Sequence, residues 1–429
     1  MITSIVWFKT DLRLCDNETL VKAIANSDSI IPVYCLDNDQ FKTTAYGLQK
    51  TGNFRTQFIL EALRDLDQQL RAIGSGLLLL RGDTAHELSK IAQHYNVQKV
   101  YTKKEVAFEE KNKQAQVEKE LWKHNCTLET CSTSTLYHAD DLPFSITNIP
   151  DVFTIFRKKT EKETSIRPVF EAPKNITSPP IEPIKIPYLN NLGLNTIIKD
   201  ARNIIHFQGG ETKAYKRLQY YFTETNLVSS YKETRNGLIG SDYSSKFSPW
   251  LAQGCISPRT IYYELKKHEN KFGANDSTYW LVFELVWRDF FRFMFKKYPN
   301  KFFLRQGIKI APSEHSEHND DVFEKWKSGS TGVDFIDANM RELKHTGFMS
   351  NRGRQNVASY LINDLKIDWR CGAAYFEQQL IDYDVCSNWG NWAYLAGVGN
   401  DPKDKRYFNI EKQAKDYDAQ QVYRNLWRD

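Results

Sequence analysis

The sequence predicts two domains of different class: an α/β domain with a doubly wound parallel sheet of five strands, followed by an all-α domain. In the first 130 residues, short β-branched runs alternate with helical patterns, which is typical of βαβ units. Six of the fourteen prolines lie between residues 165 and 190, and only helical patterns follow residue 200. We therefore predict an α/β domain over residues 1–135, a linker over 136–200 and a helical domain over 201–429.

Five apolar runs form the predicted sheet, and continuous apolar strands of this kind are buried on both faces. Thr84-Ala85-His86-Glu87 predicts a capping box that opens a helix ending near Tyr95. The domain contains neither a G-x-G-x-x-G motif nor a P-loop, so an ordinary dinucleotide or triphosphate site is not expected in it. The predicted strands are Ile2–Phe8, Ile30–Leu36, Leu77–Leu80, Lys99–Tyr101 and Thr127–Thr130.

The proline-rich linker is predicted to be extended, because proline is poorly tolerated inside helices. In the helical domain, Ser257 followed by Pro258 is a helix cap with proline at the first helical position. Pro299 ends a long aromatic helix. The predicted helices span residues 211–223, 258–270, 277–297, 321–328, 332–345, 350–364 and 371–380.

Charge and cysteine usage bear on the partners, the membrane association and the compartment of the protein. Residues 1–140 carry 17 basic and 18 acidic side chains, and residues 141–429 carry 41 and 35, so the small basic excess lies in the C-terminal part. That excess permits a polyanionic partner. The most apolar stretch, Thr278–Lys297, carries Glu284, Arg288, Asp289 and Arg292 in its interior, which excludes a bilayer span. Seven cysteines without a C-x-x-C pair predict reduced thiols and a cytoplasmic location.

One face of the aromatic helix carries groups that suit a planar, polar ligand. Glu284, Trp287, Arg288 and Phe291 are spaced i, i+3, i+4 and i+7, so they share one stripe. The indole offers a stacking surface, the carboxylate accepts hydrogen bonds and the guanidinium binds anions. A core helix with an internal Glu–Arg pair would show the same pattern.

Two further segments combine hydroxyl, amide and basic side chains. Ser241–Trp250 places several hydroxyls and a lysine before a helix start, where a phosphate can be held. A loop that only caps a helix is the alternative. In Gly347–Asn356, Asn351, Arg354 and Gln355 can face one side of a helix while Arg352 points elsewhere; a solvated basic helix start is the alternative there.

The segment Leu380–Tyr394 is dense in Trp, Asn and Gly. Asp382 and Asp384 flank a tyrosine and precede Asn388. Packing around a large ring system explains this composition better than solvation does, and a purely structural core is the alternative. The tract Glu314–Asp321 contains His, Glu and Asp but lies in polar loop sequence, so no metal site is expected.

Four long motifs occur in a fixed order along the chain: Val6–Arg13, Thr346–Ser359, Asp382–Trp392 and Tyr407–Ile410. Together with the segments above, they resemble the photolyase/cryptochrome flavoprotein family over nearly the whole chain. The second and third motifs look like those of the DASH cryptochromes. Such long motifs are far more specific than a lone glycine fingerprint. The resemblance implies FAD, folded into a U shape in the helical domain.

The resemblance also implies which residues surround FAD. Asn388 matches the position beside flavin N5, where an amide cannot readily donate a proton, and this favours a fully reduced flavin and repair chemistry. Arg354 could supply positive charge to a reduced flavin while pairing with Asp382. The implied FAD-binding residues are Tyr231, Ser244, Ser245, Lys246, Phe247, Ser248, Arg288, Asn351, Arg354, Asp382, Asp384 and Asn388.

The implied reaction is light-driven repair of cyclobutane pyrimidine dimers by an electron from excited reduced FAD. Glu284 and Asn388 are the implied catalytic residues. Glu284 would hydrogen-bond the dimer and stabilise its radical anion, and Trp287 would stack on the extruded bases. Asn351 and Arg352 match further contacts to the damaged DNA.

Two positions resemble DASH members rather than photolyases of duplex DNA. Gln355 stands where the latter tend to carry Met, and Tyr394 where they tend to carry Trp. Both residues make the substrate cavity more polar and less able to stack, so we expect single-stranded DNA to be preferred. RNA is a further candidate partner, and a monomer is expected.

The family's three-tryptophan path for reducing the flavin is only partly matched. Trp392 and Trp369 match its proximal and middle members, whereas the distal position falls near Ser316. Residues 304–322 contain no Trp, Tyr or Phe, and Trp326 is a candidate substitute. Glu105 matches a residue that contacts a 5,10-methenyltetrahydrofolate antenna in the family.

Three other functions remain open at this point. A blue-light receptor that binds FAD and nucleic acid without repair is the main alternative, although the chain ends at Asp429 and leaves little room for a signalling tail. A duplex photolyase is opposed by Gln355 and Tyr394. A (6-4) photolyase would want a histidine pair at the flavin, which the matched motifs lack.

Overall fold

The computed structural model describes residues 2–309, 319–402 and 406–428, and it confirms an α/β domain followed by a helical domain. Five parallel strands form one sheet in the order β3-β2-β1-β4-β5. The chain therefore winds outward from β1 in both directions, as the doubly wound prediction requires. The strands are β1 (Thr3–Phe8), β2 (Ser29–Asp37), β3 (Leu78–Gly82), β4 (Lys99–Lys103) and β5 (Thr127–Cys131).

The sheet is covered on both faces, because alternate side chains of β1 point to opposite sides. Ile5 and Trp7 pack in a small core with residues of the helices that precede β4 and β5. Val6 and Phe8 belong to a larger core that continues into the helical domain. The α/β domain is thus attached to the rest of the molecule through one face of its sheet.

Four helices lie in the α/β domain, and the start of the third corrects a prediction. Its N-cap is Asp83, whose carboxylate accepts the His86 backbone N–H at 3.0 Å. Thr84, predicted as the cap, is already helical and donates its hydroxyl to Asp37 instead. The helices are α1 (Glu18–Ala25), α2 (Asn53–Ala72), α3 (Thr84–His94) and α4 (Phe108–Trp122).

The segment between the domains is mostly extended, but it also contains a helix. Residues 165–188 form neither helix nor strand, in line with their prolines. The sequence pattern did not predict α5 (Phe153–Glu163). This helix packs its Phe153 and Phe156 rings against the long aromatic helix of the second domain.

The helical domain contains a helix at each predicted range, and two of these end in a π-helical turn, at Tyr220–Glu224 and Tyr360–Asp364. The sequence did not predict the helices Tyr231–Thr234, Ser248–Ala252, Val385–Leu395, Ile410–Tyr417 and Val422–Leu426. No helix in the described ranges has both the length and the apolar character needed to cross a bilayer. The helices are α6 (Glu211–Gln219), α7 (Tyr231–Thr234), α8 (Ser248–Ala252), α9 (Pro258–Phe272), α10 (Asp276–Lys297), α11 (Asp320–Ser328), α12 (Asp334–Thr346), α13 (Asn351–Ser359), α14 (Trp369–Gln379), α15 (Val385–Leu395), α16 (Ile410–Tyr417) and α17 (Val422–Leu426).

Asp16, in the loop after β1, joins three parts of the chain. Its carboxylate accepts hydrogen bonds from Arg259 Nε at 3.0 Å, Arg259 Nη2 at 2.7 Å and Ser257 Oγ at 2.6 Å. It also accepts the backbone N–H of Phe170, in the linker, at 3.1 Å. Asp16 is fully buried and Arg259 nearly so. Because the buried carboxylate is paired and hydrogen-bonded on both oxygens, it fixes the helical domain to the sheet.

Two further contacts hold the same loop. The Glu211 carboxylate accepts the backbone N–H groups of Leu14 at 2.7 Å and Cys15 at 3.0 Å. Gly254 has a φ of +65°, and a Cβ there would lie 2.2 Å from the carbonyl oxygen of Thr10. Only glycine fits this position, so the two domains touch backbone to backbone.

Replacing Arg259 with methionine should leave the Asp16 carboxylate buried without its cation. Loss of one partner from a buried ion pair costs about 3–5 kcal/mol, so the free energy of unfolding should fall by that amount. Urea denaturation followed by circular dichroism measures the change. Lys267→Met, at a mostly exposed lysine, is the matched control and should cost less than about 1 kcal/mol. Equal effects of the two variants would contradict the role given to the pair.

Candidate functional site

Helices α10 and α15 approach closely because Gly390 leaves room for the Phe291 ring. A Cβ at residue 390 would lie 2.4 Å from that ring. The approach places Trp287 edge-to-face against Tyr394, with ring centroids 5.9 Å apart. The polar stripe predicted on α10 therefore faces the segment rich in Trp, Asn and Gly.

Arg354 and Asp382 form the ion pair that the sequence suggested. Arg354 Nη2 lies 3.0 Å and 2.8 Å from the two carboxylate oxygens, and Ser248 Oγ donates to the same carboxylate at 2.6 Å. The Asp382 side chain is almost fully buried. This carboxylate joins the first residue of α8, helix α13 and the segment after α14 in one place.

Asp384 and Asn388 begin α15 beside two arginines. Asp384 caps the helix and lies 4.0 Å from Arg288 Nη2. Burial alone would raise the pKa of Asp384, but the guanidiniums of Arg288 and Arg292 hold it below the usual value. The Asn388 side-chain nitrogen donates to the Ala373 carbonyl at 3.0 Å, which fixes the orientation of its amide.

Glu284 points toward the end of α7. Its carboxylate pairs with Arg235, directly after that helix, and about a third of its side chain is exposed. Burial raises the pKa of Glu284, and the Arg235 guanidinium opposes that shift. Tyr231, the first residue of α7, is buried, and desolvation raises the pKa of its phenol. The pair holds Glu284 at the rim of the site.

Trp287 has one face covered by a residue that the sequence reading missed. The Phe153 ring of α5 stacks on the indole with centroids 3.6 Å apart and planes 12° from parallel. Phe153 lies in the segment assigned to the linker, and no motif there distinguished it. The apolar run Val152–Phe156 before a basic stretch was its only signal.

Arg352 and Gln355 contact each other, so the prediction that Arg352 points away from Gln355 is wrong. Arg352 Nη1 donates to Gln355 Oε1 at 3.0 Å and Nη2 donates to Asn236 at 3.0 Å. The guanidinium also lies 4.5 Å from the centre of the Tyr417 ring. Spacing on α13 could not reveal partners from α16. Asn351, the first residue of α13, is exposed.

The loop before α8 is held from behind by Arg217, which donates to the backbone carbonyls of Ser244 and Ser245 at 3.1 Å and 3.0 Å. Lys246 adopts a left-handed conformation with φ 60°. Its side chain is buried, whereas Phe247 and Ser248 lead into the helix. The loop thus presents hydroxyls and backbone N–H groups close to the Arg354–Asp382 pair.

The tryptophans predicted to carry electrons to the flavin lie in two contacting pairs. Trp392 packs edge-to-face with Trp326 at 6.3 Å, and Trp369 packs edge-to-face with Trp389 at 5.9 Å. Trp326 is fully buried, and its indole N–H donates to the Val357 carbonyl at 3.1 Å. It does not reach the surface, and its role as the substitute donor stays a prediction. The distal position near Ser316 lies outside the described residues.

Glu105 lies at the switch point of the sheet, where β1 and β4 run side by side and the winding direction reverses. It lies 3.2 Å from Lys9, 3.5 Å from Lys103 and 3.6 Å from Arg292 of α10. Burial alone would raise the pKa of Glu105, but these three cations hold it at about 2. Glu105 is therefore an ionised anchor between the two domains.

The donor set around Arg354 and Asp382 fits FAD. Hydroxyls and N–H groups of the loop before α8 suit a diphosphate, and the paired arginines and carboxylates suit the polar edge of a flavin. No cluster of three or more metal-ligating side chains occurs in the described ranges, and the Glu314–Asp321 tract lies mainly outside them.

Comparison with known proteins agrees with this geometry. The family described as DNA photolyase matches residues 4–176, and the FAD binding domain of DNA photolyase matches residues 280–428. A cryptochrome DASH from Synechocystis is 48% identical over 99% of this chain and 87% of that protein.

Two solved structures extend the comparison. The crystal structure of a Synechocystis cryptochrome is 48% identical, covers all of this chain and 88% of its own, and superposes with a TM-score of 0.96. A class III photolyase from Agrobacterium tumefaciens is 26% identical over all of this chain and 86% of its own, with a TM-score of 0.84. The chain belongs to the photolyase/cryptochrome family, as a cryptochrome of the DASH type with an FAD-binding domain.

Proposed function

We propose that this protein repairs cyclobutane pyrimidine dimers in single-stranded DNA, using light and reduced FAD. One observation carries the proposal: α10 places Trp287 and Arg288 beside Tyr394 and Asp384, next to α15, which carries Asn388, and presents Glu284 one turn before Trp287. A carboxylate and an aromatic ring for the lesion thus lie beside the residues that fit the flavin. A receptor without repair activity would not need Glu284 and Trp287 at that position.

When bound, FAD supplies the electron that opens the dimer after light absorption. Glu284 would hydrogen-bond the dimer, and the ion pair with Arg235 holds its carboxylate in place until the lesion arrives. Arg354 would place positive charge beside the reduced flavin, and Asp382 fixes that guanidinium. Asn388 would offer an amide, which does not act as an acid, so the flavin keeps its reduced state.

Three contacts support the preference for single strands. Gln355 is engaged by Arg352, and the Tyr394 hydroxyl accepts a hydrogen bond from Arg406 at 2.7 Å. Phe153 occupies one face of Trp287. Because these side chains already contact other protein residues, they offer little free aromatic surface for the lesion to stack on. Stacking would then not offset the free-energy cost of extruding a dinucleotide from a duplex. Such extrusion costs a few kcal/mol and is cheapest in single strands.

We also propose that a folate antenna, 5,10-methenyltetrahydrofolate, binds between the domains beside Glu105. A cleft there is lined by Lys104, Thr133, Arg292 and Lys296. Burial lowers the pKa of Lys296, which leaves a cation that an anionic ligand would stabilise. Hydroxyls, cations and the ionised Glu105 suit the amide, carboxylate and ring nitrogens of a folate.

The state of the cysteines indicates the compartment in which the protein works. All seven cysteines are free, and most are buried, which fits a reducing compartment such as the cytoplasm. We propose a monomer that acts on damaged DNA, with RNA as a second nucleic acid to test.

The preference for single strands is the first prediction. Purified, photoreduced protein should repair a thymine dimer in a single-stranded oligonucleotide about ten- to a hundredfold faster than in the matching duplex, because extrusion costs a few kcal/mol. Loss of dimer under blue light, with a dark control, is measured by chromatography. Equal rates would contradict the preference, and no repair of either strand with FAD bound would favour the receptor function.

The electron path gives a second prediction. Trp392→Phe should abolish most of the light-driven reduction of bound FAD, because Trp392 matches the member nearest the flavin. Trp326→Phe should reduce the rate less, because Trp326 is buried behind Trp392. The bleaching of oxidised flavin under blue light with an external reductant measures both rates. A Trp326 variant as slow as the Trp392 variant would show that Trp326 carries the main path.

The antenna gives a third prediction. Glu105→Gln should remove most of the near-ultraviolet to violet absorption that folate adds to the purified protein, while FAD content stays constant. Glu109→Gln is the matched control, since its side chain is mostly exposed. Retention of the same folate band by both variants would show that Glu105 does not hold the antenna.

A further inference from the structure

Trp389 is a buried tryptophan to which the proposed function assigns no role. It follows Asn388 on α15 and is 5% exposed. Its indole packs edge-to-face against Trp369, the predicted middle member of the electron path, with ring centroids 5.9 Å apart. A Cβ on Gly372, which follows Trp369 on α14, would overlap the Trp392 ring. The predicted proximal member therefore packs on the helix that carries the middle one, and Trp369 connects both to Trp389.

The indole N–H of Trp389 faces a carboxyl group. Nε1 donates to Glu377 Oε2 at 3.3 Å and to the Tyr383 hydroxyl at 3.2 Å. Glu377 lies on α14 and is 6% exposed. Burial raises the pKa of Glu377, although the charges of Arg55 and Lys50 oppose that shift. A carboxylate that is shielded from water in this way is a stronger base than one at the surface.

The N–H groups of Trp369 and Trp326 face backbone carbonyls instead. Trp369 donates to the Arg305 carbonyl and Trp326 donates to the Val357 carbonyl, each at 3.1 Å. A backbone carbonyl accepts a hydrogen bond but does not hold a proton at neutral pH. An indole that has lost one electron is a much stronger acid than the intact ring, so the partner of its N–H decides whether the proton leaves. Within the described ranges, Trp389 is the one of these three indoles with a base at that position.

The aromatic neighbours of Trp389 do not accept the electron vacancy from it. The Arg55 guanidinium lies 4.4 Å from the centre of the Tyr383 ring. A positive charge over a ring opposes the removal of an electron from that ring. Phe303 packs edge-to-face on Trp389 at 5.1 Å, and a phenyl ring is harder to oxidise than an indole. Transfer along this row of rings therefore ends at Trp389.

We propose that Trp389 is the terminal electron donor in light-driven reduction of FAD and that Glu377 is its proton acceptor. Trp392 loses one electron to light-excited oxidised FAD and is refilled by Trp369, which is refilled by Trp389. The Nε1–H bond of Trp389 then breaks, and the proton bonds to Glu377 Oε2. The electron remains on FAD, and the protein holds a neutral Trp389 radical and a neutral Glu377 carboxylic acid. An external thiolate later returns an electron to Trp389, and Glu377 returns the proton.

The proposal rests on the predicted path through Trp392 and Trp369, not on repair of DNA. It accounts for how a path without a tryptophan near Ser316 can hold the separated charges. Once the proton has moved, return of the electron to Trp389 requires return of the proton as well, so recombination is slowed.

Transient absorption of the FAD-loaded protein, in mildly alkaline buffer without DNA, tests the donor. Neutral and protonated tryptophan radicals have different visible spectra, so the spectrum after a light flash reports where the proton lies. We expect a long-lived neutral radical in the parent protein and none in Trp389→Phe. Glu377→Gln should leave a protonated radical that decays about ten- to a hundredfold faster, since a hydrogen bond to a charged group is lost.

Infrared difference spectroscopy tests the proton acceptor independently of the rate of flavin reduction. The spectrum after illumination should gain the carbonyl band of a protonated carboxylic acid, which shifts in deuterated water and is absent from Glu377→Gln. Glu324→Gln, at a mostly exposed residue of α11, is the matched control for that variant. Trp122→Phe, at a residue of α4 that is 65% exposed, is the control for Trp389→Phe. Both controls should keep the radical and the band.

Three results would overturn the proposal: a neutral radical that persists in Trp389→Phe, an acid band that persists in Glu377→Gln, or no tryptophan radical in the parent. Thermal unfolding midpoints close to that of the parent show that the variants are folded. Repair of a thymine dimer is assayed separately on protein reduced with dithionite, which bypasses the path. Loss of repair with an intact radical would count against the repair function and still support this proposal.

Discussion

The buried pair of Asp16 and Arg259 is the contact on which the arrangement of the molecule depends. A parallel sheet leaves the loops after its strands free to bind a ligand, and here the loop after β1 binds the second domain instead. The carboxylate is acceptable in the interior only because the helical domain supplies a guanidinium and a hydroxyl and the linker supplies an N–H. The Asp16 carboxylate therefore gains its partners only when the two domains dock.

That docking sets up two sites along a single helix. Arg288 of α10 lies beside Asp384, one of the residues predicted to bind FAD. Arg292, one turn later on the same helix, lies beside Glu105 at the switch point of the sheet. Asp289, between them, accepts the backbone N–H groups of Leu136 and Tyr137 at 2.9 Å and 2.8 Å. An antenna beside Glu105 and a flavin beside Arg288 would thus have a fixed separation and orientation, as energy transfer requires.

The sequence predicted those parts of the molecule that local patterns determine. The five strands, the stripe on α10 and the Arg354–Asp382 pair rest on apolar periodicity or on long motifs. It failed where a residue's environment comes from a distant segment: Phe153 stacks on Trp287 across domains, and Arg352 meets α16. The cap of α3 was misplaced by one residue because Asp83 and Thr84 both suit that position, and only the nearby Asp37 decides between them.

The stacking of Phe153 on Trp287 has a consequence for how substrate choice is inherited in this family. The indole proposed to bind the lesion belongs to the helical domain, but the Phe153 ring that covers one of its faces belongs to the segment that connects the domains. A chimera that carried the helical domain of this protein and the connecting segment of a relative would therefore replace Phe153 beside this tryptophan. Discrimination between single strands and duplexes would then follow the connecting segment as well as the domain that holds the flavin.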